Sequence, residues 1–176
     1  PYTDAAIAAR EAFDPLGDDP ALLCIPPGMP AMMNNPYPIE FVDEGDRILL
    51  RLEEWDGVRT IHTSDAAVAE GQSPSSYGYS IGRWEGDVLV VDTRNFEDHR
   101  SPYQNGIPSG AQKHVIERYR LSEGGTHMAV EFTLEDPEYI VGSMTHRREL
   151  IYSPDMDMSP FDCDLESTRR FVPDNN

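Results

Sequence analysis

The segment Gly78-Tyr79-Ser80-Ile81-Gly82-Arg83-Trp84-Glu85-Gly86-Asp87-Val88-Leu89-Val90-Val91-Asp92-Thr93-Arg94-Asn95-Phe96 carries the signal from which the fold is read. Glu85-Gly86-Asp87 supplies turn chemistry between an alternating stretch and a β-branched run, so two strands, about 79–84 and 88–94, fold back on one another. Working outward, the same pattern repeats. Ile39–Val42, Arg47–Trp55 and Val58–Thr63 are separated by Asp43-Glu44-Gly45-Asp46 and Asp56-Gly57. Downstream, His114–Leu121 turns through Glu123-Gly124-Gly125 into His127–Leu134, and a last pair is expected near Thr145–Tyr152 and Thr168–Val172. Eight or nine antiparallel strands in neighbour order predict an all-β fold. A small up-and-down, lipocalin-like barrel is the leading architecture, because closure removes exposed strand edges; an open sheet or sandwich is second.

The N-terminal part is different. Thr3–Phe13 is Ala-rich, opens with a capping Thr and stops before Asp14-Pro15, which predicts a short helix. Residues 14–38 hold seven prolines and form an extended arm. Its Leu22, Leu23, Ile25, Met29, Met32 and Met33 are too apolar for a solvated linker, and methionines are adaptable contacts. These side chains pack either on this domain or on a partner, and Met29, Met32 and Met33 are the candidate partner-binding residues. The division is residues 1–38 for helix and arm, and 39–176 for the barrel.

A chain of 176 residues is long enough for one well-buried core. With 32 acidic against 14 basic residues its net charge is -18. That balance argues against nucleic acid and anionic lipid as partners and favours neutral or basic ones. No apolar run reaches the roughly 18 residues of a membrane span.

The GYSIGRWEGDVLVVDTRNF block, with Cys24-Ile25-Pro26-Pro27-Gly28-Met29-Pro30 and Pro36-Tyr37-Pro38-Ile39-Glu40-Phe41 before it and Glu117-Arg118-Tyr119 and Glu135-Asp136-Pro137 after it, resembles a widespread family of exported bacterial β-rich proteins. The resemblance spans most of the chain. It implies an exported β domain, periplasmic or extracellular, and no particular activity, since that family has no established catalytic residues. A chain beginning at Pro1 is then a processed form or an excised domain. Cys24 and Cys163 are too far apart in sequence for a redox or zinc motif. Either they are two buried free thiols or they form a disulfide worth about 4 to 5 kcal/mol of chain entropy; the resemblance to exported proteins favours the disulfide.

Chemistry is sparsely signposted. There is no GxSxG and no Gly-rich phosphate loop, so neither a nucleophilic hydrolase nor a nucleotide cofactor is expected. His62, His99, His114, His127 and His146 are scattered one per element, and Asp155, Asp157, Asp162 and Asp164 lack EF-hand spacing. No metal and no cofactor are expected. Alternation places Val115, Glu117, Tyr119 and Leu121 on the inner face, opposite His114, Ile116, Arg118 and Arg120. Glu117 and Tyr119, with Arg51, Glu53, His62 and Trp84 on strands that could line the same interior, make a candidate ligand or acid–base site. The competing expectation is an internal ion pair, with Glu117 held by an arginine such as Arg51 or Arg83. Two functions follow. The first is a non-catalytic exported binding or accessory domain with a protein partner. The second is a cofactor-free lyase or isomerase, or a barrel for a small apolar ligand, built on Glu117 and Tyr119.

Overall fold

In a computed structural model, which describes residues 2–64, 71–98, 106–170 and 172, eight strands form a single sheet in the order in which they occur along the chain. They are β1 (Ile39–Asp43), β2 (Arg47–Leu52), β3 (Gly57–His62), β4 (Tyr79–Glu85), β5 (Val88–Arg94), β6 (His114–Leu121), β7 (His127–Glu135) and β8 (Ser143–Ile151). The sheet curls into a half-barrel, so the all-β, barrel-like expectation holds. The central hairpin pairs Glu85 with Val88 across Gly86 and Asp87. Gly86 sits at φ +64°, a conformation glycine adopts without steric cost.

One face of every strand points into the concavity. Ile48, Leu50 and Leu52 of β2, Ile61 of β3, Leu89 and Val91 of β5, and Val115, Tyr119, Val130 and Phe132 of β6 and β7 form a continuous buried cluster. Between β3 and β5 the core is so tight that a Cβ on Gly82 would lie 2.7 Å from the Ile61 Cγ2.

Three features depart from the sequence-based picture. β3 and β4 are parallel, paired only through Ile61 with Ser80 and His62 with Ile81. The link 63–78, of which 65–70 lie outside the described residues, is long enough to bring the chain back to the starting end of the strands, as a parallel pair requires and a short hairpin turn does not allow. The strand expected at Thr168–Val172 is not formed. Thr168 instead ends a one-turn helix, α2 (Leu165–Thr168), whose first N–H groups are capped by Asp164; Phe171 lies outside the described residues. Last, β1 and β8 stand at opposite ends of the hydrogen-bonded order and are not paired with one another.

The N-terminal helix α1 (Asp4–Glu11) is capped by the Thr3 side chain, as its sequence predicts. The arm winds through two 3-10 turns and inserts Met29, Met32 and Met33 into the core, where each is at most 2 % exposed. Their assignment to partner binding is therefore corrected: they already pack against this chain's own strands. Cys24 and Cys163 are joined by a disulfide with Cα atoms 5.9 Å apart. Among the described residues no helix is long and apolar enough to cross a membrane.

Candidate functional site

Inner-face alternation brings Glu117 and Tyr119 together as anticipated, but around a different arginine. Arg59 of β3 shares inward parity with Ile61, and its guanidinium reaches across the half-barrel to β6. Nη1 donates to Glu117 Oε1 at 3.0 Å and Nη2 to Glu117 Oε2. The Tyr119 hydroxyl donates to Glu117 Oε1 at 2.6 Å. Nε and Nη2 also donate to Ser80 Oγ, at 3.1 and 2.9 Å, and Nη2 to Thr93 Oγ1 at 2.9 Å. Burial alone would pull the guanidinium pKa down, yet the Glu117 charge and its hydrogen bonds hold it above its ordinary value. Burial and the same carboxylate push the Tyr119 phenol well up.

The other four expected site residues are not gathered there. Arg51 lies on the outer face and pairs with Glu40 at 3.2 Å. Arg83 pairs with Glu85 at 3.0 Å, so neither arginine proposed for Glu117 holds it. Glu53 accepts the Ser159 N–H at 2.8 Å. His62 stacks on Tyr79 with ring centroids 4.6 Å apart, and Trp84 is 63 % exposed at the end of β4.

A second buried polar site went unread in the sequence. The Lys113 Nζ donates to the Met29 carbonyl at 2.7 Å and stands 4.1 Å from the centre of the Phe96 ring. Burial lowers its pKa to about 7, against the opposing charges of Asp136 and Glu97. Asp136 accepts the Gly110 N–H at 2.8 Å, and burial raises its pKa. The available signal was a lysine opening a strand beside an Asp-Pro turn, too common to single out.

A wide groove lies elsewhere, at the seam where residues of β1 and β8, the two end strands of the sheet, face one another. It measures about 900 Å³ and is lined by Ile39 and Phe41 of β1, Met128 of β7, Leu150 of β8, and Met156 and Met158 of the segment after β8. Phe41, Met128 and Leu150 share the inner face, and Phe41 meets Tyr119 edge-on at 5.8 Å. Arg148 closes the floor by donating to the Met33 and Asn35 carbonyls, and burial lowers its pKa. Arg59, Glu117 and Tyr119 do not line this groove.

Residues 152–162 form a strap along the seam. Its upper end is held by the Tyr152 N–H on the Thr126 carbonyl at 2.9 Å. Its lower end is held by Ser159 on Glu53, by the Phe161 and Asp162 N–H groups on the Asp56 carboxylate, and by the Phe161 ring against Trp55 at 4.8 Å. The disulfide at Cys163 follows directly. Trp55 and Asp56 take left-handed φ values of 61° and 48° to present this anchor.

Among the described residues, no group of three His, Cys, Asp or Glu side chains could hold a metal ion; His99 lies outside them. No family model, no curated protein and no solved structure matches the chain.

Proposed function

We propose that this chain is a non-catalytic, exported binding or accessory domain, periplasmic or extracellular, that holds another polypeptide in the groove between β1 and β8. The proposal includes membership of the exported bacterial β-rich family that the Trp84-Glu85-Gly86-Asp87 block resembles. The groove carries it. It combines apolar lining with the two end strands of the sheet, β1 and β8, which are not paired with each other, and open sheet edges are how sheets receive other chains. The disulfide fits an oxidising compartment.

The acid–base alternative loses support from the position of Glu117. Both of its oxygens are occupied by Arg59 and Tyr119, and the residue is fully buried away from the groove. A general base needs a path to its substrate.

A photo-reactive side chain in place of Leu150 tests the proposal, with Val58, exposed on the outer face of β3, as control. Irradiation in the producing cells should give one reproducible polypeptide adduct from position 150 and none from 58. A small molecule released stoichiometrically from the purified protein, with no polypeptide adduct, would replace the partner by an apolar ligand.

A further inference from the structure

The ladder fixes strand directions. Of the seven pairings from β1 to β8, six are antiparallel and the β3–β4 pairing is parallel. Six reversals cancel, so β1 and β8 run the same way. In an all-antiparallel eight-strand meander the two ends would be antiparallel and could close directly. Here closure by direct contact would require a second parallel ladder, the slightly weaker kind. A single added strand running the other way would instead be antiparallel to both edges.

The strap runs in that opposite direction, from the end of β8 to the start of β3, but cannot serve as the added strand. Pro154 and Pro160 lack the N–H groups a ladder needs. Among the described residues, no backbone hydrogen bond joins 153–158 to β1 or β8.

We infer that the seam takes up an extended peptide segment of a partner polypeptide as a ninth strand, antiparallel to both β1 and β8; this rests on the binding function proposed above. Strand alternation sets the partner's chemistry. Residues pointing inward meet Phe41, Met128 and Leu150, so they are apolar. Residues pointing outward emerge beside Glu40 and Glu149, on the opposite face of β1 and β8. The groove lining holds three carboxylates, Glu40, which Arg51 already pairs, Glu149 and Asp157, against the single guanidinium of Arg148, which faces inward. Alternate outward residues are therefore basic. A second copy of the chain is a poorer occupant, because each copy carries a net charge of -18.

The probe is a synthetic nonapeptide alternating valine and lysine, compared with the same peptide N-methylated at every second residue. The methylated form keeps the side chains and loses one row of backbone donors. Fluorescence anisotropy should show saturable binding of the first and at least tenfold weaker binding of the second. Hydrogen exchange should slow on binding at both 39–43 and 143–151. Equal affinity for the two peptides, protection confined to other segments, or no saturable binding each overturns strand addition. So does a dimer in sedimentation that protects 143–151 without peptide, which would give the seam to a second copy. The two proposals fail separately. A polypeptide adduct at position 150 without edge protection keeps the binding function and rejects the ninth strand. Edge protection by the probe without any cellular adduct does the reverse.

Discussion

Arg59 on β3 and Glu117 on β6, 58 residues apart in sequence, form a fully buried ion pair in which each charge depends on the other. Removing one partner strands the other in the core, which typically costs about 3 to 5 kcal/mol, whereas replacing both by apolar residues of similar volume is far milder. Glu117→Gln should accordingly lower stability by about 3 to 5 kcal/mol in urea denaturation. The double variant Arg59→Met/Glu117→Leu should recover most of that loss. A double variant no more stable than Glu117→Gln alone would mean that the pair holds the strands in a way apolar packing cannot replace.

Lys113 should make stability depend on pH. Its folded pKa, about 7, lies below the ordinary 10.5, so between these values the unfolded chain binds a proton that the folded chain does not. Stability from this group therefore rises as pH increases from about 7 towards 10, by at most on the order of 4 kcal/mol. Melting temperatures across pH 6 to 9.5 should climb more steeply for the wild type than for Lys113→Met. Parallel curves would show that Lys113 is neutral or charged alike in both states.

Met29, Met32 and Met33 each fill core volume, and losing such a side chain costs about 2 to 5 kcal/mol. The triple Ser variant is expected to unfold the isolated domain at room temperature, seen as loss of the near-ultraviolet circular dichroism signal. A folded triple variant would return the arm to the role of a detachable partner-binding segment.

Gly82 and Gly86 separate two kinds of glycine requirement. A Cβ at Gly86 meets nothing within 4 Å, so Gly86→Ala costs only the left-handed backbone, about 1 to 2 kcal/mol. Gly82→Ala must displace the Ile61 Cγ2, 2.7 Å from where the new Cβ would lie, so its cost should be smaller in an Ile61→Ala background, which lacks that methyl, than in the wild type. Thermal melts of the two single variants and the double variant check this; an equal cost in both backgrounds would place the clash elsewhere.

The disulfide spans 139 residues, and replacing both cysteines by serine should cost about 4 to 5 kcal/mol by loop entropy. Non-reducing mass measurement of the native protein should read two hydrogens below the reduced chain. Two freely alkylated thiols in protein purified without reductant would remove both the bond and its support for export.

What could be read from the sequence was what local pattern determines. The Gly86-Asp87 turn and the β-branched run set the central hairpin, and strand parity placed Glu117 and Tyr119 inside together. Arg59 shares parity with Ile61 and could have been flagged on that basis. A lone strand arginine is usually exposed, though, and its partner sits three strands away. The direction of β4 was hidden because the link 63–78 is long enough for either polarity. The groove was hidden for the same reason, since the co-orientation of β1 and β8 follows from that one parallel pair. Asp164 preceding Glu166 and Ser167 was a legible cap for α2, overshadowed by the β-branched Thr168 and Val172.

The joint between β3 and β4 also governs how the molecule comes apart. Backbone hydrogen bonding there is limited to two residue pairs, while β4 to β8 and β1 to β3 are each laddered along their lengths. The sheet thus has two laddered halves, and much of what welds them is side chain: Arg59 bonded to Ser80, Thr93 and Glu117, and Ile61 seated over Gly82. Sub-global opening should begin at this joint, with β1 to β3 lifting away as a unit before the five-stranded remainder melts. Coupling between the two halves of the sheet thus rests chiefly on side chains, the buried Arg59 guanidinium first among them, and less on the short backbone ladder between β3 and β4.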